Sequence, residues 1–121
     1  MGRNHARVLG SLPGIDLTAI VDKAHSDTDR TIPVLDELED LDTSTIDVAI
    51  VATPTVNHFE SASWLLKKGI HVLVEKPIAS CVAEGAALAA IAEEHGVVGA
   101  VGHIERYNPA IVELKKCLRS G

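Results

Sequence analysis

Four short apolar runs, separated by stretches in which apolar residues recur every three or four positions, set the pattern of this chain. The runs are Asp16 to Asp22 (DLTAIVD), Asp47 to Thr53 (DVAIVAT), His71 to Val74 (HVLV) and the apolar part of GVVGAVGH. Each is too short for a helix and rich in β-branched residues, which predicts buried strands. Gly2 to Leu12 predicts a helix with Ala6, Leu9 and Leu12 on its inner side, stopped by Pro13 and Gly14. Ile32 to Leu35 predicts a marginal strand, and Asp36 to Leu41 a short helix that packs Leu38 and Leu41. Thr55 to Lys68 carries the clearest helix signal: Pro54 stands near its start, Lys67 and Lys68 occupy its last turn, and Gly69 ends it. Ser80 is placed to cap an alanine-rich helix that runs through Ala92 and closes at His95 and Gly96. Asn108 and Pro109 open a final helix toward Leu118, and the polar stretch AHSDTDR predicts a loop.

Strands alternating with helices predict right-handed crossovers and a parallel sheet, an α/β fold of the doubly wound, Rossmann-like kind. At 121 residues the chain has room for one domain. Apolar content of 46% suits a buried sheet, and no apolar run reaches the length of a membrane span. Met1 is followed by polar Gly2, Arg3 and Asn4 with no hydrophobic signal region behind them, so the expected location is the cytoplasm. A net charge of −6 and 2% aromatic residues argue against nucleic acid as a partner. Cys81 and Cys117 lack metal-ligand spacing and read as small packing residues, not as a disulfide. His5, His71, His95 and His103 fall on separate elements with no HxxxH spacing, so no metal site is expected. No serine or cysteine sits in a nucleophile motif.

Chemistry is concentrated where the runs end. Glu75, Lys76 and Pro77 follow directly on His71 to Val74, and open α/β sheets bind ligands at the C-terminal ends of their strands. An acid, a base and a rigid backbone residue at such an end point to a crevice; the alternative is a surface turn with one salt bridge. Asp22 closes an earlier strand about 20 residues after Gly2, where a carboxylate can accept both hydroxyl protons of a nucleotide ribose. Its alternative is a solvated turn aspartate. Thr53 and Pro54 end the strand DVAIVAT, which also fits a plain strand-to-helix turn. Asn57 and His58 follow in the first turn, and His58 reads as an orienting or capping group, since nothing acidic is placed to tune it.

With these residues in view, the chain resembles the N-terminal dinucleotide-binding domain of the Gfo/Idh/MocA family of nicotinamide-dependent oxidoreductases. The matching motifs are Gly2 Arg3 Asn4 His5 Ala6, the strand ending in Asp22, Ala52 Thr53 Pro54 with His58, Glu75 Lys76 Pro77, and Gly102 His103 with Arg106, Asn108 and Pro109. The resemblance implies a cofactor site of Gly2, Arg3, Asn4, Asp22, Thr53, Pro54, His58, Glu75 and Lys76. It makes Lys76 the catalytic or substrate-polarising residue, with Glu75 orienting it and Pro77 fixing the loop through a cis bond. Arg106 and Asn108 would reach the substrate or nicotinamide; their alternative is a capping Asn beside a surface Arg. NAD is the expected cofactor, since Asp22 would repel a 2′-phosphate, with Lys23 relieving part of that repulsion and NADP the alternative.

The expectation that results is an NAD(P)-dependent dehydrogenase fragment, residues 1–121 forming a partial dinucleotide-binding domain. Hydride would pass between the nicotinamide and a hydroxyl or keto group of a sugar, nucleotide sugar or cyclitol. The segment GHIERYNPA resembles the branch acting on nucleotide sugars, UDP-N-acetylglucosamine 3-dehydrogenases among them. Against the family, Gly2 aligns with the third glycine of GxGxxG, so the first strand and the C-terminal substrate domain are absent from the sequence. In the order 3-2-1-4-5-6 that strand is central, which predicts a gap between the strand ending at Asp22 and the strand Asp47 to Thr53. The rival readings are a nucleotide-binding module without turnover and a non-catalytic fragment that assembles with itself. A homo-oligomer is expected.

Overall fold

The computed structural model describes residues 1–24 and 32–120, so AHSDTDR lies outside the described residues from position 25 on. Strands form where an apolar run finds a neighbour: β1 (Ile20–Val21), β2 (Val34–Leu35), β3 (Val48–Val51), β4 (His71–Val74) and β5 (Gly99–Val101). The helices are α1 (Gly2–Leu9), α2 (His58–Lys67), α3 (Val82–Glu94) and α4 (Pro109–Ser120). All described pairings are parallel. Ile20 stands opposite Val34, Val48 opposite His71, and Val72 opposite Gly99. The expected interruption is present: β1 and β2 form one sheet, and β3, β4 and β5 form another in that order.

Only β4 fills its predicted range. The DLTAIVD run was expected to be a strand throughout, but pairing is confined to Ile20 and Val21. A ladder extends only as far as its neighbour supplies donors and acceptors. Here the neighbour is short: Pro33 has no N–H to give, and its carbonyl and that of Leu35 accept from Ile20 and Asp22. α1 stops at Leu9, short of Leu12, because the N–H groups of Ser11 and Leu12 bond three residues back to Val8 and Leu9, and Gly14 then takes φ +81°. Leu12 is left exposed.

α2 and α3 pack on each other and on the three-stranded sheet. α2 is preceded by a 3-10 turn, Thr55–Asn57, and buries His58, Ala62, Leu65 and Leu66, the spacing of one helix face. Among the described residues, every fully buried apolar side chain lies between Val51 and Ala92. Burying one such leucine stabilises by about 1.5–3 kcal/mol, so stability resides in this half of the molecule. On β4, Val72 and Val74 are buried whereas His71 and Leu73 are half-buried. The strand was expected to be covered on both faces; one face is fully covered. α3 begins one residue beyond the cap expected at Ser80. Glu84 reaches back instead, its carboxylate accepting the Ser80 N–H at 2.9 Å.

Candidate functional site

Parallel strands put their C-terminal ends on one side, so the β3–β4–β5 sheet brings together Thr53 with Pro54, Glu75 to Pro77, and Gly102 with His103, while Asp22 ends β1 of the other sheet. Glu75 is the buried ionisable member of this group, only 5% exposed. Its Oε1 accepts from His5 Nε2 at 2.7 Å and its Oε2 from the Lys76 N–H at 3.1 Å. A Cβ at position 102 would lie 3.3 Å from the Glu75 carboxyl, closer than side chains usually pack, so glycine just past β5 lets the chain pass without displacing Glu75. The carboxylate expected to hold the Lys76 ammonium therefore turns inward to His5 and touches Lys76 through its backbone. Lys76 itself is exposed, and among the described residues its ammonium pairs with no carboxylate. The Lys76–Pro77 bond is cis, as expected.

The hydrogen bond from His5 holds the Glu75 carboxyl below its ordinary value of 4.5, against the opposing effect of burial. A carboxyl lowered in the folded state contributes stability above its unfolded value and loses it as pH falls through the folded value. Urea midpoints should therefore be level from neutral pH down to the unfolded value and drop below it. Glu75→Gln should flatten that acid limb, and an unchanged limb would show that other carboxylates set it.

His58 is 1% exposed, with Nδ1 2.9 Å from the Pro77 carbonyl oxygen and Nε2 2.9 Å from that of Thr53. A carbonyl only accepts, so each contact is a bond when its ring nitrogen carries hydrogen. The ring is thus directed into the protein, and it orients the two strand ends from beneath.

At the start of α1, the N–H groups of Gly2 and Arg3 precede the first helical bonds, which are given by Asn4 and His5 to Met1. Nothing lies within 4 Å of a Cβ built on Gly2. A helix start with open donors and open space suits an anionic group. Asn4 and Arg3 are exposed beside it. Asp22 Oδ1 accepts the Ala24 N–H at 3.0 Å, the geometry of a turn aspartate. Lys23, expected to temper Asp22, is drawn to Glu37 at 2.6 Å. Glu37 is the first cause of its raised pKa.

Thr53 and Pro54 are exposed at the end of β3. Arg106 is exposed in a 3-10 turn, Ile104–Tyr107. The Asn108 amide is engaged at both ends: its nitrogen donates to Glu105 at 2.8 Å and its oxygen accepts from the Ala110 N–H at 3.0 Å. That is the capping geometry of its alternative reading. The sequence reading missed His5 as a partner of Glu75 and Gly102 as the space that admits it. Only the position of His5 in the Gly2 to Ala6 motif could have signalled the first. No three His, Cys, Asp or Glu side chains among the described residues converge as metal ligands. No described helix is long and apolar enough to cross a membrane.

A parallel α/β sheet with ionisable groups at its strand ends and an open helix start defines a dinucleotide-binding domain. Residues 1–103 match the Gfo/Idh/MocA oxidoreductase family, NAD-binding Rossmann fold. The UDP-N-acetylglucosamine 3-dehydrogenase of Acidithiobacillus ferrooxidans is 37% identical over 87 residues, 72% of this chain and 26% of that protein. The scyllo-inositol 2-dehydrogenase (NADP(+)) IolW of Bacillus subtilis is 30% identical over 121 residues, 97% of this chain and 34% of that protein. The 3-ketoreductase KijD10 of Actinomadura kijaniata, solved with TDP-benzene and NADP, superposes with a TM-score of 0.84 at 26% identity, covering 95% of this chain and 38% of that one. The chain belongs to the Gfo/Idh/MocA family and spans about a third of the length of these relatives.

Proposed function

We propose that residues 1–121 are the cofactor domain of an NAD(P)-dependent dehydrogenase that acts on a hydroxyl or keto group of a sugar, nucleotide sugar or cyclitol. The observation that carries this is an exposed Lys76 side chain at the end of β4, set on a turn that Glu75 and His58 hold from inside. The nicotinamide, when bound, supplies or accepts the hydride. The chain's part is to seat the phosphates at Gly2 and Arg3, to take the ribose at Asp22, and to line the cofactor's path with Asn4, Thr53 and Pro54. Lys76 then offers positive charge to the oxygen that becomes an alkoxide. The remaining acid-base groups and substrate contacts belong to the part of the relatives beyond this chain. Cytoplasmic location and a homo-oligomer complete the reading; the exposed apolar row Ile111, Leu114 and Leu118 on α4 suits a subunit contact.

A chimera tests it: residues 1–121 replace the matching segment of the Acidithiobacillus enzyme, and reduced cofactor is followed with UDP-N-acetylglucosamine and scyllo-inositol in turn. Turnover supports the reading. Cofactor binding without turnover would select the nucleotide-binding module. The interrupted sheet favours a second reading, a fragment that assembles through β1 and β3.

Cofactor preference rests on Asp22, since the relatives include users of NADP. Lys23 is drawn to Glu37, and the Asp22 carboxylate would repel a 2′-phosphate. Asp22→Ser is expected to shrink the preference for NAD in competition titrations; equal affinities before and after substitution would leave Asp22 as a turn residue.

A further inference from the structure

α1 buries none of its residues; His5, Ala6 and Leu9 are half-buried and the rest are exposed. So short and exposed a helix is not held by apolar packing of the kind that fixes α2. Its polar tie to the rest of the molecule spans 70 positions of sequence, from His5 Nε2 to Glu75 Oε1. The two side chains are 23% and 7% exposed, so the contact is shielded on the Glu75 side. Around that carboxylate, α1 presents His5, its own turn presents Lys76, and β5 presents Gly102, which carries no charge.

We propose that His5 and Glu75 form the pin that seats α1 on the end of β4, and that His5 is a positioning residue for the dinucleotide phosphates. The second part rests on the reading of this chain as an NAD(P) domain. Two functions then meet in one carboxylate: Oε1 fixes the helix whose start faces the phosphates, and Oε2 fixes the backbone of Lys76. His5 touches neither cofactor nor substrate. Its loss should weaken cofactor binding by letting α1 swing, while the Lys76 turn keeps its bond to Glu75.

Backbone hydrogen–deuterium exchange and NAD titration of His5→Phe, His5→Gln and Glu75→Gln, each in the 121-residue chain, decide the matter. Phe keeps the ring volume without the donor, and Gln keeps an N–H at similar reach. A hydrogen bond to a charged group suggests about a tenfold rise in exchange across Gly2–Leu9 for His5→Phe, and about a tenfold weaker NAD affinity. Exchange in α2 and β4 should stay as it was, and His5→Gln should restore both readings. Glu75→Gln, whose amide oxygen still accepts, should fall between them. Unchanged exchange in α1, a rise through every element, or no rescue by Gln would overturn the pin. Exchange needs no ligand, so where the 121-residue chain binds no NAD the pin is decided by α1 alone, and failure of the chimera to bind cofactor would refute the cofactor reading.

Discussion

Lys76→Ala, placed in the chimera described above, is expected to lower kcat about 10²-fold, the size of effect seen when one electrostatic stabiliser of a developing oxyanion is removed. NAD affinity should change far less, because the ammonium is exposed at the strand end and does not hold the turn together. The turn is fixed by the Lys76 N–H to Glu75 and by the Pro77 carbonyl to His58, and both survive the substitution. A loss in kcat/KM carried wholly by KM would instead mark Lys76 as a ground-state contact. Unchanged kcat in a folded protein removes it from the chemistry.

The other large effect concerns the interrupted sheet. Among the described residues β1 has its ladder with β2 alone and β3 its ladder with β4 alone, so one side of each carries no ladder. Each missing ladder bond forgoes about 0.5–1.5 kcal/mol, and several together rival a typical stability of about 5–15 kcal/mol. The 121-residue chain is expected to bind NAD weakly or not at all and to self-associate. Fusing an apolar strand with a GxG turn ahead of Met1 should give a monomer that binds NAD and resists urea better. Titration calorimetry and sedimentation check both. A stable 121-residue monomer with micromolar NAD affinity would show that the alignment of Gly2 to the third glycine is wrong.

What the sequence disclosed depended on how local the signal was. β4 and α2 were legible almost to the residue, because apolar spacing, Pro54 and Gly69 are all nearby cues. The strand at Asp16 to Asp22 was legible in kind but not in length, since length is set by Pro33, just before the neighbouring strand. α1 was read too long because Gly10 and Ser11 tolerate a helix, and the tighter bonds that end it leave no mark in composition. In the site, the motif Glu75 to Pro77 announced its place, and the cis bond was foreseen. The direction in which Glu75 points was not, since its partner is 70 positions away. Asn108 was the reverse case: its capping cue was local, and capping is what the side chain does.

The imidazole of His58 has a mechanical meaning for the mouth of the crevice. The ring lies 2.9 Å from the carbonyls that end β3 at Thr53 and the turn at Pro77, and with one N–H in its neutral form it ties one of them while it fills the space beneath the other. Opening and closing about a bound molecule is then expected in the segments outside this floor, the β1–β2 sheet and the Ile104–Tyr107 turn, with the point from which Lys76 extends held in place by the buried ring.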